Sequence, residues 1–169
     1  KIKQNREVQR KDRDDPVIAL VGYTNAGKST LLNLLTDAEN LVADKLFATL
    51  DSTLRKMDLP DGRQIILTDT VGFIKNLPHQ LVASFRATLE EIKSADLILH
   101  VVDSSNSQAE KHIKVTNQVL NEMGAAQIDK LFIFNKVDKA NQIDLKSLEL
   151  QYPNHISMSA LKGTGKDKL

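Results

Sequence analysis

A short apolar run, Val17 to Val21, leads directly into Gly22-Tyr-Thr-Asn-Ala-Gly-Lys-Ser29, which fits the pattern G-x-x-x-x-G-K-[ST]. In this pattern the glycines let successive backbone N–H groups turn inward around phosphate oxygens, while the lysine supplies a cation and the hydroxyl a metal ligand. A helical pattern begins near Lys28, so a bound phosphate would lie at a helix N-terminus, where unpaired N–H groups favour an anion. The predicted phosphate-binding residues are Asn25, Ala26, Gly27, Lys28, Ser29 and Thr30.

Beyond this loop, apolar runs typical of β-strands alternate with segments of helical periodicity. Such alternation indicates an α/β fold with a doubly wound, mostly parallel sheet. The near-continuous apolar run Leu97 to Val102 fits a strand that is covered on both faces. The predicted strands are Val17 to Val21, Ile65 to Thr68, Leu97 to Asp103, Leu131 to Asn135 and His155 to Ser157; the predicted helices are Ser29 to Leu35, Leu81 to Lys93, Ala109 to Met123 and Ile143 to Leu150.

One antiparallel strand is expected at an edge of this sheet. Leu54 to Leu59 and Arg63 to Leu67 flank Pro60-Asp-Gly62, a turn whose glycine can adopt a positive φ. The two runs therefore predict an antiparallel hairpin.

The length and composition fit one domain with its own core, at 169 residues with 41% hydrophobic and 27% charged residues. We expect residues 1–16, which are almost entirely polar, to be a linker or the end of an upstream helix, and residues 17–169 to form the domain, with its last helix cut off.

The chain has no cysteine, which excludes a disulfide framework and thiolate metal sites, and no apolar run approaches the ~18 residues of a membrane span. We expect a cytoplasmic protein, monomeric as an isolated domain; no direct DNA binding is expected, although the formal charge of +1 is itself uninformative.

A second motif, Asp69-Thr-Val-Gly72, follows the apolar strand that ends near Thr68. An isolated Asp at a strand end is more often a capping carboxylate, but the motif lies about 40 residues after the glycine loop, as a nucleotide switch requires. We therefore predict that Ser29 ligates Mg²⁺ directly, that Asp69 supports the ion from its outer shell, and that the Gly72 N–H senses a γ-phosphate.

Closing a magnesium site around a triphosphate needs one more hydroxyl, from the segment after the first helix. Thr49 and Thr53 both qualify, and Thr49 is preferred because Thr53 would already be entering the edge strand. The residues predicted to form the metal site are thus Ser29 and Thr49 as ligands and Asp69 in the outer shell. Residues 37–52 would then form a loop that the γ-phosphate orders and hydrolysis releases.

A third motif, Asn135-Lys136-Val137-Asp138, follows the apolar strand ending at Asn135. An Asp here can accept hydrogen bonds from the N1–H and N2 amino groups of guanine, whereas adenine offers an acceptor in place of that N1 donor. Asn135 would brace the loops, and the aliphatic stem of Lys136 would cover the base plane. A backbone N–H of Ser159, Ala160 or Leu161 would read guanine O6.

With these motifs the chain resembles the translation-factor-related GTPases, and among them the G domain of HflX-type proteins. The likeness spans Val17 to Leu161 and rests on Gly22 to Thr30, Leu46-Phe-Ala-Thr-Leu-Asp51, Asp69-Thr-Val-Gly-Phe-Ile74 and the helix entry at Leu77, Pro78 and His79. The resemblance implies a Ras-like G domain on a P-loop NTPase sheet that binds GTP and GDP. It also implies flanking domains and, in the full-length protein, action on the large ribosomal subunit that includes ribosome splitting. The family usually carries Pro where this chain has Ser52.

The residue after Asp-x-x-Gly is Phe73, which can neither orient nor polarise an attacking water, so slow intrinsic hydrolysis is expected. Resemblance to related GTPases with an apolar residue there suggests help from a partner or from a potassium ion bound by Asn25. The alternative is that Asn25 is a turn residue that tolerates a left-handed conformation, and the sequence does not choose between them. The predicted catalytic residues are Lys28, Asn25, Thr49 and Gly72.

Two functions remain open from the sequence. One is a magnesium-dependent GTPase; the other is a binding module that reports nucleotide state with negligible intrinsic hydrolysis. An ATPase or small-molecule kinase is disfavoured by Asp138, which is suited to guanine. Turnover measured with and without ribosomes separates the first two.

Overall fold

The computed structural model describes residues 15–36, 53–70 and 92–169. The elements in these ranges are β1 (Val17–Val21), α1 (Lys28–Thr36), β2 (Thr53–Asp58), β3 (Gln64–Asp69), β4 (Leu97–Asp103), α2 (Ala109–Glu122), β5 (Asp129–Asn135), α3 (Gln142–Gln151), β6 (His155–Ser157) and a short 3₁₀ turn (Lys166–Lys168). Within the same ranges, no helix combines the length and apolar character that crossing a membrane requires.

The strands form one six-stranded sheet in the order β2-β3-β1-β4-β5-β6. β2 pairs with β3 antiparallel, and every other neighbouring pair is parallel. The β2–β3 turn closes with a hydrogen bond from the Gly62 N–H to the Leu59 carbonyl at 2.9 Å, and Gly62 has a φ of +84°. The prediction of a mostly parallel, doubly wound sheet with one antiparallel edge strand is confirmed.

Helices cover both faces of the sheet because alternate residues of β1 point to opposite sides. Leu20 packs with Leu31 of α1 in one cluster, whereas Ala19 packs with Leu120 of α2 in another. Residues 98–102 of β4 are all buried, as predicted for a strand covered on both faces. A third cluster joins α2, α3 and the ends of β4 and β5.

The predicted boundaries lie within two residues of the observed ones. β1, β4 and β6 have the predicted bounds, β5 begins at Asp129 rather than Leu131, and α2 ends at Glu122 rather than Met123. The predicted helix Leu81 to Lys93 lies outside the described residues except for 92–94, which are helical.

The carboxyl ends of the parallel strands meet at one edge of the sheet. The glycine loop follows β1, Asp69 ends β3, Asp103 ends β4 and Asn135 ends β5, with Asp103 and Asn135 opposite each other in register. In open α/β sheets ligands bind at this edge. The topology therefore gathers the described parts of the three sequence motifs at this edge.

Candidate functional site

The glycine loop lies very close to its neighbours at two of its glycines. A Cβ on Gly22 would stand 2.2 Å from the Val101 carbonyl oxygen, and one on Gly27 would stand 2.2 Å from Asn135 Nδ2. Gly27 also has a φ of +95°, a conformation that side chains disfavour. Asn25 has a φ of 60°, which fits the alternative that it is a turn residue, and this finding does not bear on potassium. The spacing of the glycines thus reflects tight contact with β4 and β5.

Lys28, at the start of α1, is buried and donates hydrogen bonds to the Gly22 and Tyr23 carbonyls, both at 3.3 Å. Burial lowers the pKa of Lys28 to about 8, and the nearby Asp69 carboxylate opposes that change. A phosphate would compensate the buried ammonium far better than the two carbonyls do. The loop therefore holds a cation in place for an anionic ligand.

Replacing Lys28 with Met should abolish nucleotide binding and yet stabilise the nucleotide-free chain at pH 7 by about 2 kcal/mol, because the variant no longer buries a charge. Between the folded-state pKa of about 8 and the ordinary value of 10.5, the unfolded chain binds more protons at this lysine than the folded chain. Wild-type stability should therefore rise with pH in that window, and the difference between the two proteins should shrink. Urea unfolding at about pH 7 and pH 9.5 measures both effects. A variant less stable than the wild type at pH 7 would contradict this account.

Ser29 and Asp69 place two hard oxygen donors side by side at the start of α1. The Ser29 hydroxyl donates to Asp69 Oδ2 at 2.6 Å. A hydroxyl that donates its proton in this way can still offer its oxygen to a cation. The described residues contain no cluster of three or more His, Cys, Asp or Glu that could hold a metal ion. Mg²⁺ does not need one, since it is commonly held by one or two protein oxygens together with substrate phosphates. The donor chemistry of Ser29 and Asp69 fits that ion.

Asn135, at the end of β5, joins the glycine loop that follows β1, called the phosphate loop from here on, to the loop that follows β6. Its Nδ2 donates to the Ala26 carbonyl at 2.9 Å, and its Oδ1 accepts from the Ala160 N–H at 2.9 Å. The side chain is buried, so both bonds are shielded from water. One amide therefore sets the distance between two loops that are 109 and 25 residues away in sequence.

Lys136 adds a second connection to the phosphate loop. Its Nζ donates to the Asn25 carbonyl at 2.8 Å and to Asp103 Oδ2 at 2.7 Å. Lys136 itself has a φ of 63°. The sequence prediction did not include Asp103; the signal that could have found it is its position at the end of the predicted strand Leu97 to Asp103.

Asp138 follows in the same loop, and its side chain is 12% exposed. A hydrogen bond from the Ser159 hydroxyl is the main cause that holds the pKa of Asp138 below its usual range, with the Lys162 ammonium, at 3.7 Å, contributing. The carboxylate is therefore ionised at neutral pH and acts as a hydrogen-bond acceptor.

The backbone N–H groups of the last loop differ in their partners. The Ser159 N–H donates to the Thr164 carbonyl at 2.9 Å, and the Ala160 N–H is taken by Asn135. Leu161 is exposed. Of these three backbone N–H groups, the two contacts occupy those of Ser159 and Ala160. The Leu161 N–H is therefore the donor that can serve a ligand.

The structure thus brings the predicted phosphate-binding and base-reading residues to one edge of the sheet. Thr49 and Gly72 lie outside the described residues, so their predicted roles are not tested.

Tyr23 of the phosphate loop also stacks on His112 of α2, with ring centroids 3.9 Å apart and planes within 2°. This stack supports the loop from the side of α2.

Comparisons with known proteins agree with this geometry. A family model described as "50S ribosome-binding GTPase" matches residues 17–136. The chain is 51% identical to GTPase HflX of Magnetococcus marinus over 99% of its residues and 45% identical to GTPase HflX of Escherichia coli over 98%. It spans 40% of the length of each of these curated relatives.

Two solved structures share the fold. A GTP-binding protein from Sulfolobus solfataricus in complex with GDP is 30% identical, with a TM-score of 0.69 over 99% of this chain and 52% of that one. A variant of Era from Aquifex aeolicus, bound to GDP and aluminium fluoride, is 24% identical, with a TM-score of 0.76 over 92% of this chain and 55% of the other. The latter likeness supports the fold alone.

Proposed function

This chain belongs to the 50S ribosome-binding GTPase family, and we propose that it is the GTP-binding and GTP-hydrolysing domain of an HflX-type protein. The proposal rests on one observation above all: Asn135 connects the phosphate loop at Ala26 to the loop at Ala160. Lys28, after β1, and Asp138, after β5, would then lie toward two ends of one ligand site, with β4 between their strands. A guanine nucleotide presents phosphates and base at two ends in the same way.

At the phosphate end, Lys28 would bind the β- and γ-phosphates, and the N–H groups of the loop up to Thr30 would surround the β-phosphate. Ser29 would ligate Mg²⁺, and Asp69 would accept the hydrogen bond from the Ser29 hydroxyl, as it does in this structure. Bound Mg²⁺ would supply charge neutralisation between the β- and γ-phosphates. The chain's own part is to hold these oxygens and the ammonium where the charge develops.

At the base end, the Asp138 carboxylate would accept both the N1–H and the N2 amino group of guanine. The Leu161 N–H would donate to guanine O6, since Ser159 and Ala160 have other acceptors. The stem of Lys136 would lie along the base plane while its ammonium holds Asn25. Adenine would leave the Asp138 carboxylate facing an acceptor, which excludes ATP as the preferred substrate.

The switch remains a proposal based on sequence. Thr49 would complete the magnesium site in the triphosphate state, and the Gly72 N–H would sense the γ-phosphate. Residues 1–16 would be a linker or the end of an upstream helix, and residues 17–169 the G domain. In a longer protein the switch would couple to the large ribosomal subunit in the cytoplasm, as the HflX resemblance implies.

Turnover separates this proposal from a module that only reports nucleotide state. Phe73 predicts a slow intrinsic rate, so GTP hydrolysis by the purified chain should be measured with Mg²⁺ over hours, with and without large ribosomal subunits. Phosphate release that is measurable alone, and that Lys28→Met abolishes, would support a GTPase. Selective GTP binding without release under any condition would favour the reporting module.

Replacing Asn25 with Gly tests the potassium proposal. Gly keeps the left-handed backbone that Asn25 adopts, with its φ of 60°, but removes the side-chain oxygen. We expect the wild type to hydrolyse GTP at least tenfold faster in K⁺ than in Na⁺, because a positive charge at the transferring phosphate acts as an arginine finger does. The variant should lose that difference and keep its GDP affinity. Equal rates in both salts for the wild type would remove the potassium role.

A further inference from the structure

We propose that Asp103 is a positioning residue for nucleotide binding, and this inference rests on the guanine-nucleotide site proposed above. Asp103 would hold the Lys136 ammonium so that Lys136 keeps the base-reading loop, residues 135–138, at a set distance from the phosphate loop. Neither the sequence motifs nor the comparisons assign a role to Asp103. It lies at the end of β4, between the two loops.

The contacts form a chain of three groups. Lys136 Nζ donates to the Asn25 carbonyl at 2.8 Å and to Asp103 Oδ2 at 2.7 Å. The side chains of Lys136 and Asp103 are 26% and 18% exposed, so this pair is more shielded than a surface ion pair. Charge-assisted hydrogen bonds in such a setting are about twice as strong as neutral ones.

The Asp103 carboxylate is itself held in one orientation. Its Oδ1 accepts from the Ser105 N–H at 3.0 Å and from the Ser105 hydroxyl at 2.6 Å. Its backbone is fixed in the sheet opposite Asn135. Oδ2 therefore points steadily to Lys136, and the carboxylate serves as a rigid anchor for a flexible lysine.

A rigid anchor matters because the ligand spans both loops. Lysine has a long stem with many rotamers, and an unanchored ammonium would exchange the Asn25 carbonyl for water. The phosphate loop and the base-reading loop would then vary in separation, and a nucleotide would have to order them on binding. Preorganisation of this kind raises affinity by lowering that ordering cost.

The test measures the rate of GDP release from the Asp103→Asn variant. The variant keeps the shape of the side chain and loses its charge, and we expect GDP release to be about tenfold faster, as for the loss of one charge-assisted bond. A purely electrostatic effect predicts the reverse, because removing a negative charge near the phosphates would favour GDP. Slower release or an unchanged rate would therefore overturn the proposal.

Asp96→Asn is the matched control, since Asp96 lies just before the opposite end of β4, where its Oδ2 accepts from the Val17 N–H at 2.9 Å. This variant should lower thermal stability and leave GDP release within about twofold of wild type. If Asp103→Asn releases GDP no faster than Asp96→Asn at equal loss of stability, Asp103 is only structural.

A double-mutant cycle asks whether Asp103 acts through Lys136. In a Lys136→Met background, Asp103→Asn should accelerate GDP release no further. An equal acceleration in both backgrounds would overturn the positioning role. Failure of the wild type to bind GDP would refute the proposed function. GDP binding by the wild type with an unaffected Asp103→Asn would refute the positioning role of Asp103 alone.

Discussion

Asp138→Asn should lower the affinity for GDP by about 10³-fold or more and make the diphosphate of xanthosine the better ligand. The Asp138 carboxylate offers two acceptor oxygens, which match the N1–H and N2 amino donors of guanine. An Asn in the same place keeps one acceptor and turns an NH₂ donor toward the amino group of guanine. Xanthine carries a carbonyl oxygen where guanine carries that amino group, so the new donor finds an acceptor.

The local structure should accommodate Asn at position 138 without other changes. The Ser159 hydroxyl that bonds Asp138 can donate to an amide oxygen as well as to a carboxylate. Asp129→Asn makes the same charge change at an exposed position at the start of β5 and should leave both affinities unchanged. Titration with each nucleotide measures the outcome; GDP affinity within tenfold of wild type in Asp138→Asn would show that Asp138 does not read the base.

Gly27→Ala should reduce GDP affinity by about 10²-fold or more and destabilise the nucleotide-free chain by about 2–4 kcal/mol. A Cβ at this position would stand 2.2 Å from Asn135 Nδ2, in a backbone with a φ of +95°. Asn135 would have to move, and its bonds to the Ala26 carbonyl and the Ala160 N–H would break. The phosphate loop and the loop that follows β6 would then no longer be held at a fixed separation.

Gly124→Ala is the control for this effect. Gly124 also has a positive φ, +72°, but a Cβ there would meet nothing within 4 Å. Its replacement should lower stability by about 1 kcal/mol through backbone strain alone and leave GDP affinity unchanged. If the two alanine variants lose equal stability and bind GDP equally well, the contact between Gly27 and Asn135 is unimportant.

Much of the fold could be predicted because strand periodicity and local motifs are properties of neighbouring residues. The bounds of β1 and β4 follow from their apolar runs, and β6 has the predicted bounds although Ile156 is its one apolar residue. β5 extends two residues further than predicted because Asp129 and Lys130 pair with Leu97 and Ile98, and such pairing depends on the neighbouring strand rather than on hydrophobicity.

The sequence predicted the site residues that lie in short motifs, but not the contacts that the fold creates between them. Lys28, Ser29 and Asp138 fall in short motifs whose chemistry can be read from the residue types. The bracing role of Asn135 was predicted from its motif, but its partners at Ala26 and Ala160 depend on residues that the sheet brings together. The contact between Asp103 and Lys136 depends on the sheet in the same way. The choice of Leu161 over Ala160 as the free donor likewise follows from a contact across the fold.

The central claim is that this sheet edge recognises a guanine nucleotide at both its phosphates and its base. Calorimetric titration of the purified chain with GDP and with ADP, each with Mg²⁺, tests it most directly. The account predicts that GDP binds at least about 10³-fold more tightly than ADP, because Asp138 has no donor to accept from adenine N1. Equal affinity for the two nucleotides would contradict it.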